Sequence, residues 1–490
     1  MQIPIRNSVK IVFLAVATLY ASCSLSADID EITSTLQDQQ AVAVTIYNDN
    51  LALVKDQRKI KLKTGANSLA FRDVSAQIMP ETALLRSLSN PNSFNVLEQN
   101  FDFDLLTPEK LLEKYVGKNV TIIKTNPSNG LETSEQAQVL SANNGANNGI
   151  VLKMADRIET GLSGRIVYSD VPANLRDRPT LVLQINSKTA AEQNVELSYL
   201  TSGLGWKADY VAELSSAEDK LDLSGWVTLT NTSGTSYHNA KLQLVAGDVN
   251  RVLEQRPAML EMVRRKSNMV MDAAAPMVQE SLLEYHLYSL DRTTSLAENQ
   301  TKQVALLSAN AVPVRKELVL QGADYYYQSS DGDLGKKLKI GVYIQFDNNE
   351  SSKLGMPLPK GILRVYKKDS AGNAQFVGEN SIDHTPKNET VRLKLGDSFD
   401  VTADKKQTDF KQLPKPGKGN AVYESAYEIV LKNAKKEAVS VAVQEPIPAD
   451  WKILQESQPG KKVTSNMNVW KVEVPAEGKA TLTYRVQVKY

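Results

Sequence analysis

Residues 196–251, ELSYLTSGLGWKADYVAELSSAEDKLDLSGWVTLTNTSGTSYHNAKLQLVAGDVNR, decide the fold of this chain. Apolar residues alternate with polar ones, as in the pairs Leu221 with Leu223 and Leu242 with Leu244. Because successive side chains of a strand point to opposite faces, each such run buries one face and exposes the other. Residues that favour turns separate the runs, namely Ser202, Gly203, Gly205, Asn231 to Gly234, Gly247 and Asp248. The stretch therefore predicts antiparallel β-structure.

Two tryptophans of this stretch, Trp206 and Trp226, each follow a glycine, beside which an indole can lie against the backbone. An exposed tryptophan would offer a flat platform for a sugar ring. Large aromatic side chains of β-proteins more often pack in the core. We therefore predict core packing for both.

The first 27 residues have the three parts of a secretory signal peptide. Arg6 and Lys10 precede an apolar run from Ile11 to Tyr20, and small residues follow it. The apolar run is too short to span a bilayer. We therefore predict a signal peptide at residues 1–27 and an exported protein of the periplasm, either soluble or lipid-anchored.

Cys23 is the only cysteine in the chain and is a candidate for lipidation. Ala21 and Ser22 precede it, as small residues do at a bacterial lipoprotein site. Tyr20 stands where such a site usually has Leu, and ordinary cleavage after Ala27 is the alternative. Both alternatives stay open at this point. In either case no disulfide can form within the mature chain, so packing has to stabilise the fold.

Charge balance excludes two classes of partner. Cleavage after residue 27 removes Arg6 and Lys10, so the 57 basic residues become 55 against 56 acidic ones, a net charge of −1. Such a chain has no electrostatic footprint for nucleic acid or for an anionic membrane surface. No later apolar run approaches the roughly 20 residues of a transmembrane helix. We expect no nucleic-acid partner and no transmembrane helix in the mature chain.

The mature chain is long enough for several domains. The predicted order is a β-meander domain at 28–104, a small SH3-like β-barrel insert at 105–170, a central β domain at 171–410 and an immunoglobulin-like β-sandwich at 420–490. Thr107 and Pro108 predict the N-cap and first turn of a short helix in the insert. Lys-Pro-Gly-rich residues 411–419 predict a linker. The fold class is mainly β, a multi-module antiparallel β-sandwich protein.

Residues 254–280 interrupt the strand pattern with a flexible, methionine-rich loop. Five of the ten methionines lie there: Met259, Met262, Met269, Met271 and Met277. Thioethers can bind Cu(I), but Arg264 and Arg265 would repel a cation, and no His or Cys is near. The sequence favours a mobile loop or a short amphipathic helix that can fold onto a partner. We predict no metal and no cofactor.

No catalytic arrangement is recognisable, so no catalytic, cofactor-binding or metal residues are assigned. His238, His286 and His384 are widely separated and lack the spacing of metal ligands. The sequence has no Walker A loop, no dinucleotide fingerprint after a strand and no G-x-S-x-G elbow. Asp and Glu are plentiful, so a glycosidase-type carboxylate pair stays open.

The central stretch has a specific set of marks: Gly203, Trp206, Tyr210, Gly225, Trp226, Asn231, Ser233, Gly234, Ala240, Leu242, Leu244, Gly247 and Asp248. With them the chain resembles the family catalogued as domain of unknown function 4139. The resemblance implies an exported bacterial protein without an assigned activity. A distantly similar group is named for inhibiting mucoidy, which associates it with exopolysaccharide or envelope physiology. That group often has a long coiled-coil segment where this chain has its predicted β-barrel.

The leading functional hypothesis is a non-catalytic binding or scaffolding protein of the bacterial envelope. It would hold an envelope protein or a glycan partner with loops and strand edges. The alternative is a carboxylate-based hydrolase that acts on cell-wall or exopolysaccharide glycans, which requires two acids about 5 to 10 Å apart in a cleft.

Overall fold

Strands dominate the computed structural model, which describes residues 31–48, 50–143, 149–161, 164–172, 175–247, 249–250, 277–414 and 421–490. The described strands form five sheets, which confirms the mainly β, multi-module fold. None of the described helices combines the length and hydropathy needed to cross a membrane. The predicted signal peptide with Cys23 and most of the methionine-rich loop lie outside the described residues.

The strands before residue 103 divide between two sheets. They are β1 (Glu31–Ser34), β2 (Gln39–Tyr47), β3 (Leu51–Leu62), β4 (Gly65–Arg72), β5 (Leu84–Ser87) and β6 (Phe94–Asp102). β2 and β3 form the predicted antiparallel pair, with Val44 opposite Val54. β4 does not continue this meander, because it pairs in parallel with β1 in another sheet. Residues 67–71 of β4 are all buried, so its sequence lacks the alternation that marks a half-exposed strand.

The predicted insert is a separate small unit with its own core around Tyr115, Val139 and Leu152. It comprises helix α1 (Pro108–Lys114) and the strands β7 (Asn119–Thr125), β8 (Glu132–Asn143), β9 (Gly149–Lys153), β10 (Ile158–Thr160) and β11 (Arg165–Val167). Thr107 caps the helix as predicted, since its Oγ1 accepts a hydrogen bond from the Lys110 N–H at 3.2 Å. The five strands are present in the order β10-β9-β8-β7-β11. In the described residues the sheet stays open and does not close into a barrel, with the two three-residue strands at its edges.

The rest of the chain consists of strands joined mainly by turns. Up to residue 413 these are β12 (Thr180–Ser187), β13 (Ala191–Thr201), β14 (Leu204–Leu214), β15 (Lys220–Asn231), β16 (Tyr237–Ala246), β17 (Val278–Leu282), β18 (Tyr285–Ser289), β19 (Thr294–Leu296), β20 (Gln300–Pro313), β21 (Arg315–Gln321), β22 (Asp333–Asp347), β23 (Gly361–Lys368), β24 (Ala374–Ile382) and β25 (Thr390–Leu413). The later ones are β26 (Val422–Asn433), β27 (Val439–Pro446), β28 (Asp450–Glu456), β29 (Lys461–Thr464), β30 (Met467–Val474) and β31 (Lys479–Lys489). Short 3-10 helices lie at Leu36–Asp38, Pro80–Thr82, Tyr325–Tyr327 and Glu350–Ser352.

The larger core lies among three sheets. One has the order β17-β18-β16-β2-β3-β13-β5, the second is β20-β15-β14-β23-β24, and the third is β1-β4-β12-β6. Alternate residues of β14, including Trp206, Ala208 and Tyr210, are buried in this core. The residues between them form the outer face of the five-stranded sheet, as period-two alternation requires.

The second core surrounds Trp470 and belongs to a nine-stranded sheet, β28-β31-β26-β25-β22-β21-β27-β30-β29. The long strands β22 and β25 serve both cores, since Ile344 lies in the first core and Ile340 in the second. Residues 411–413 of the predicted linker belong to β25, and residues 415–420 lie outside the described residues. A domain boundary at residue 420 stays a prediction, and the strands around Trp470 start at residue 315.

A fully buried asparagine recurs at the end of three strands: Asn231, Asn348 and Asn433. Each donates its side-chain amide to three backbone carbonyls and accepts a backbone N–H with its Oδ1. A buried carbonyl without a donor costs about 1–3 kcal/mol, so one side chain here satisfies several loop carbonyls at once. The Asn-x-Ser-Gly turn at Asn231 is therefore one instance of a repeated structural device.

Candidate functional site

Most residues that carry the family resemblance build the core. Trp206 is only 7% exposed, and the buried Tyr210 donates its hydroxyl to the Pro359 carbonyl at 2.8 Å. Gly203 has a φ of +84°, and a Cβ there would lie 2.6 Å from the Ser233 Cα, so no larger residue fits. Core packing is confirmed for Trp206. It is wrong for Trp226, which is half-buried on the outer face of the five-stranded sheet.

Trp226 lies beside a network of polar side chains. We call the tryptophan and this network together the sheet-face patch: Trp226, Asp209, Thr228, Gln303 and Arg364. Asp209 lies directly opposite Trp226 in the β14–β15 pair and is almost fully buried. It accepts hydrogen bonds from Thr228 Oγ1 at 2.7 Å and from Arg364 Nη1 at 3.0 Å. Gln303 Nε2 donates to Thr228 Oγ1 at 3.0 Å. The network holds polar groups in a fixed arrangement beside a partly exposed indole.

Arg364 joins the sheet-face patch to a second acid at its edge. Its Nε lies 3.1 Å from Glu379 Oε2, while its Nη1 is engaged by Asp209. One guanidinium therefore bridges two carboxylates that come from β14 and β24. Charge-assisted bonds of this kind are stronger than neutral ones, so the arginine orients both acids.

A second candidate is a groove of about 380 Å³, which we call the loop groove. Its walls come from widely separated parts of the chain: Leu36, Asp73, Leu105, Asp177, Arg178, Pro179, Gly234, Thr235, Ser236, His238 and Glu298. A neighbouring depression of about 320 Å³ shares Leu36, Asp73, Asp177 and Arg178 with it. Loops held on a rigid scaffold are a common location for binding sites.

Two reciprocal ion pairs form one side of the loop groove. Arg72 pairs with Asp177, and Asp73 Oδ1 lies 2.7 Å from Arg178 Nη1. Two consecutive residues, 72 and 73, thus pair with two consecutive residues of a distant segment, 177 and 178. The hydrogen bond with Asp73 raises the pKa of Arg178. The groove therefore presents both signs of charge within a short distance.

The Asn-x-Ser-Gly turn of residues 231–234 contributes Gly234 to the opposite side of the loop groove. The Gly234 N–H donates to Glu298 Oε2 at 2.9 Å, and the Glu298 N–H donates to Ser236 Oγ at 2.9 Å. Gly234 has a φ of +83°, and a Cβ there would lie 2.4 Å from the Ala76 Cβ. The turn is therefore held in one conformation. The sequence marked this turn, but the residues that face it across the groove are far away along the chain.

The strongest electrostatic feature is buried in the second core, where Lys405 is 3% and Glu445 0% exposed. Lys405 Nζ lies 2.7 Å from both carboxylate oxygens of Glu445. The Tyr326 hydroxyl contacts both partners, and the Tyr327 hydroxyl donates to Glu445 Oε2 at 3.1 Å. Burial lowers the pKa of Lys405, although the Glu445 carboxylate acts in the opposite sense. We call these four residues the buried lysine cluster.

Aromatic rings enclose the buried lysine cluster. Tyr484 stacks on Trp470 at a centroid distance of 4.7 Å and on Tyr427 at 5.0 Å. Lys405 Nζ lies 3.9 Å from the centroid of the Tyr326 ring. Burial raises the pKa of Tyr484 well above its usual value, so its hydroxyl stays protonated. Sequence reasoning missed this cluster, although Val401, Ala403 and Lys405 follow the alternation of one inward face.

The three histidines do not come together. His238 lines the loop groove, His286 Nδ1 lies 3.0 Å from Gln279 Nε2, and His384 Nδ1 accepts the Lys360 N–H at 3.2 Å. Across the described ranges, no group of three or more His, Cys, Asp or Glu side chains is placed to hold a metal ion.

Comparison with known proteins adds one match. The family model described as "Domain of unknown function (DUF4139)" matches residues 195–490. The match includes the sheet-face patch, the Asn-x-Ser-Gly turn and the buried lysine cluster, but not the ion pairs of the loop groove. No curated protein matches the chain.

Proposed function

Because this chain belongs to the DUF4139 family, a domain of unknown function, we propose its role from geometry: a non-catalytic binding protein of the bacterial envelope that holds a partner in the loop groove. The observation that carries this proposal is the convergence of separate chain segments on one groove, with Gly234 of the Asn-x-Ser-Gly turn in its wall. Export, as the signal-peptide pattern predicts, would bring the groove to envelope components.

The shape and charge of the loop groove suit a protein segment as partner. Its volume of about 380 Å³ lies within the usual range of ligand pockets, roughly 300–1,000 Å³. The side chains of Arg178 and Asp177 are 58% and 61% exposed, so they can exchange their internal partners for those of a ligand. An extended polypeptide with both acidic and basic side chains matches this pattern.

The hydrolase alternative has less support from the same geometry. A glycosidase needs one carboxyl group free to protonate the leaving group and a second one near the sugar ring. In the sheet-face patch Asp209 and Glu379 both bind Arg364. In the loop groove Asp73 and Asp177 each bind an arginine, and the third carboxylate, Glu298, accepts the Gly234 N–H. Arginine-bound carboxylates favour a structural or recognition role.

Site-directed photo-crosslinking in intact envelopes tests the groove. A photoreactive residue replaces His238 in the groove, and in a second protein it replaces the exposed Glu192 of β13 as a control. We expect one discrete adduct from position 238 that position 192 does not give. Adducts that are equal at both positions, or none at position 238, would reject the groove as the binding site.

A charge reversal completes the test. Arg178→Glu changes the groove, and Arg165→Glu is its matched control, because Arg165 also pairs with one surface carboxylate and is similarly exposed. We expect the adduct at position 238 to disappear with Arg178→Glu and to persist with Arg165→Glu. Mass spectrometry of the adduct identifies its chemical class.

The sheet-face patch supports a second candidate, a glycan site. Trp226 offers part of an aromatic face, and Gln303, Thr228 and Arg364 offer hydrogen-bonding groups beside it. Aromatic and planar polar side chains together suit a sugar ring, which has both an apolar face and a rim of hydroxyls. Purified envelope polysaccharide that binds the wild-type chain but not Trp226→Ala would establish this site.

A further inference from the structure

We propose that Lys405 and Glu445 become joined by an amide bond, an intramolecular cross-link between β25 and β27. The amine nitrogen lies 2.7 Å from each oxygen of the carboxyl group, so the nitrogen and the carbon that joins these oxygens are held close together. A held pair of this kind reacts as if at a very high local concentration. The inference concerns the second core and is independent of the proposed binding role.

The surroundings favour the uncharged amine that the reaction needs. An amine must lose its proton to act as a nucleophile, and a carboxyl group must gain one to release its oxygen as water. Burial lowers the pKa of Lys405 and so favours its neutral, nucleophilic form. Proton transfer from Lys405 to Glu445 produces the neutral amine and the neutral acid without any external reagent.

Tyr326 is placed to move the remaining proton. Lys405 Nζ donates to the Tyr326 hydroxyl, which itself donates to Glu445 Oε2. Burial raises the pKa of Tyr326, so the phenol keeps a proton to pass on. The Tyr327 hydroxyl, 3.1 Å from Oε2, stabilises the same oxygen.

The atoms of the step balance. The Lys405 nitrogen attacks Glu445 Cδ and forms the C–N bond, while Oε1 remains as the carbonyl oxygen. The amine proton passes through Tyr326 to Oε2, the Cδ–Oε2 bond breaks, and one water leaves. Amine plus carboxylic acid therefore becomes amide plus water, with no oxidant and no cofactor.

The site is closed on the side of the leaving oxygen. A Cβ at Gly322 would lie 2.4 Å from Glu445 Oε2 and 2.6 Å from the Tyr326 hydroxyl, so the backbone packs directly against the reacting groups. Exclusion of water favours condensation over the reverse hydrolysis. It also protects the product.

A cross-link here would substitute for a disulfide. The only cysteine of the chain lies in or beside the predicted signal peptide, so the mature protein has no pair of thiols. The Lys405–Glu445 link closes a loop between residues 40 apart. Closing such a loop restricts the unfolded chain, as a disulfide does.

Peptide mass spectrometry of the full-length, purified protein tests for the amide bond between Lys405 and Glu445. After tryptic digestion we expect a branched peptide that joins residues 395–406 to residues 437–452 and weighs one water less than their sum. The intact mature chain is also expected to weigh one water less than its sequence. Two linear peptides with cleavage after Lys405 would show an ordinary ion pair and overturn the proposal.

Two variants separate the cross-link from unrelated loss of water. Glu445→Gln keeps the reacting carbon but must release ammonia, so its branched peptide has the same mass as that of the wild type although its intact chain loses ammonia. Tyr326→Phe removes the proton relay, and we expect freshly purified protein to contain a mixture of linked and unlinked chains. A fully linked Tyr326→Phe protein would exclude the relay, and linear peptides in the wild type would exclude the bond itself.

Discussion

The side-chain amide of Asn231 donates to the backbone carbonyl of Ala297 at 3.1 Å, across 66 residues of sequence. The same amide also reaches the carbonyls of Thr235 and Leu296. This relationship explains why the Asn-x-Ser-Gly turn of this chain has an asparagine. Its role is to hold loops together around the end of β15.

Asn231→Asp is expected to destabilise the fold by about 3 kcal/mol, because it removes the donor and places a charge among buried carbonyls. Asn95→Asp, the same change at an exposed position of β6, is the control and is expected to stay within about 0.5 kcal/mol. Urea unfolding measures both free energies. Equal midpoints for the two variants would contradict the structural role.

The ion pair of Arg58 with Asp56 is buried, and its contribution to stability can be compared with that of an exposed ion pair nearby. Its Nη2 lies 2.8 Å from Asp56 Oδ2, its guanidinium lies 3.8 Å from the centroid of the Phe71 ring, and it has no exposed surface. Arg58→Met leaves Asp56 as an unpaired buried charge, so we expect a loss of about 3–5 kcal/mol. Removing both charges with Asp56→Leu and Arg58→Met together should cost less than Arg58→Met alone.

The neighbouring pair of Lys59 and Glu192 supplies the control. Its atoms are 2.9 Å apart, but both side chains are about half exposed. Lys59→Met is expected to change the free energy of unfolding by less than about 1 kcal/mol. If Lys59→Met cost as much as Arg58→Met, burial would not be the cause of the difference.

Glu218 should make stability depend on pH. Burial alone would raise its pKa, but hydrogen bonds from Lys316 and Lys367 outweigh burial and lower the pKa from 4.5 to about 2. A pKa that is lower in the folded state adds stability above pH 4.5, and this stability is lost as the pH falls toward 2. The group is partly exposed, so the effect is expected below about 1 kcal/mol.

The comparison of wild type with Glu218→Gln isolates the contribution of the Glu218 carboxylate to the free energy of unfolding. The wild type should be the more stable of the two at neutral pH, and the difference should disappear near pH 2. Glu192→Gln, on the surface of β13, is the control. A difference that stays constant over this range would refute the assignment.

Replacing the two tryptophans of β14 and β15 should lower stability to different extents. Trp206→Ala removes a core side chain and is expected to cost about 3–5 kcal/mol. Trp226→Ala removes a partly exposed one, so we expect a smaller loss of stability and at least a tenfold loss of glycan affinity, equivalent to about 1.4 kcal/mol. Thermal unfolding and binding to purified envelope polysaccharide measure the two effects.

The mature N-terminus tests the predicted export. Purified from its native host, the chain is expected to begin either at a lipid-modified Cys23 or at Asp28. Mass spectrometry of the N-terminal peptide distinguishes the two products. A chain that retains Met1 would contradict the signal peptide.

The sequence by itself determined the class of the fold. Alternation such as Leu221 with Leu223, and turn residues such as Gly203 and Asn231, depend only on near neighbours along the chain. The same local signals predicted the helix that begins after Thr107. It failed for β4, which is buried on both faces, and for Trp226, because alternation does not say which face a neighbouring sheet will cover.

Only the tertiary structure decided the candidate sites. The contact of Arg364 with Asp209 spans 155 residues, that of Lys405 with Glu445 spans 40, and the Glu298 carboxylate reaches Gly234 across 64. Each pair comes from strands or turns that no local pattern relates. Sheet order and register brought these charges together, and both depend on the packing of the whole chain.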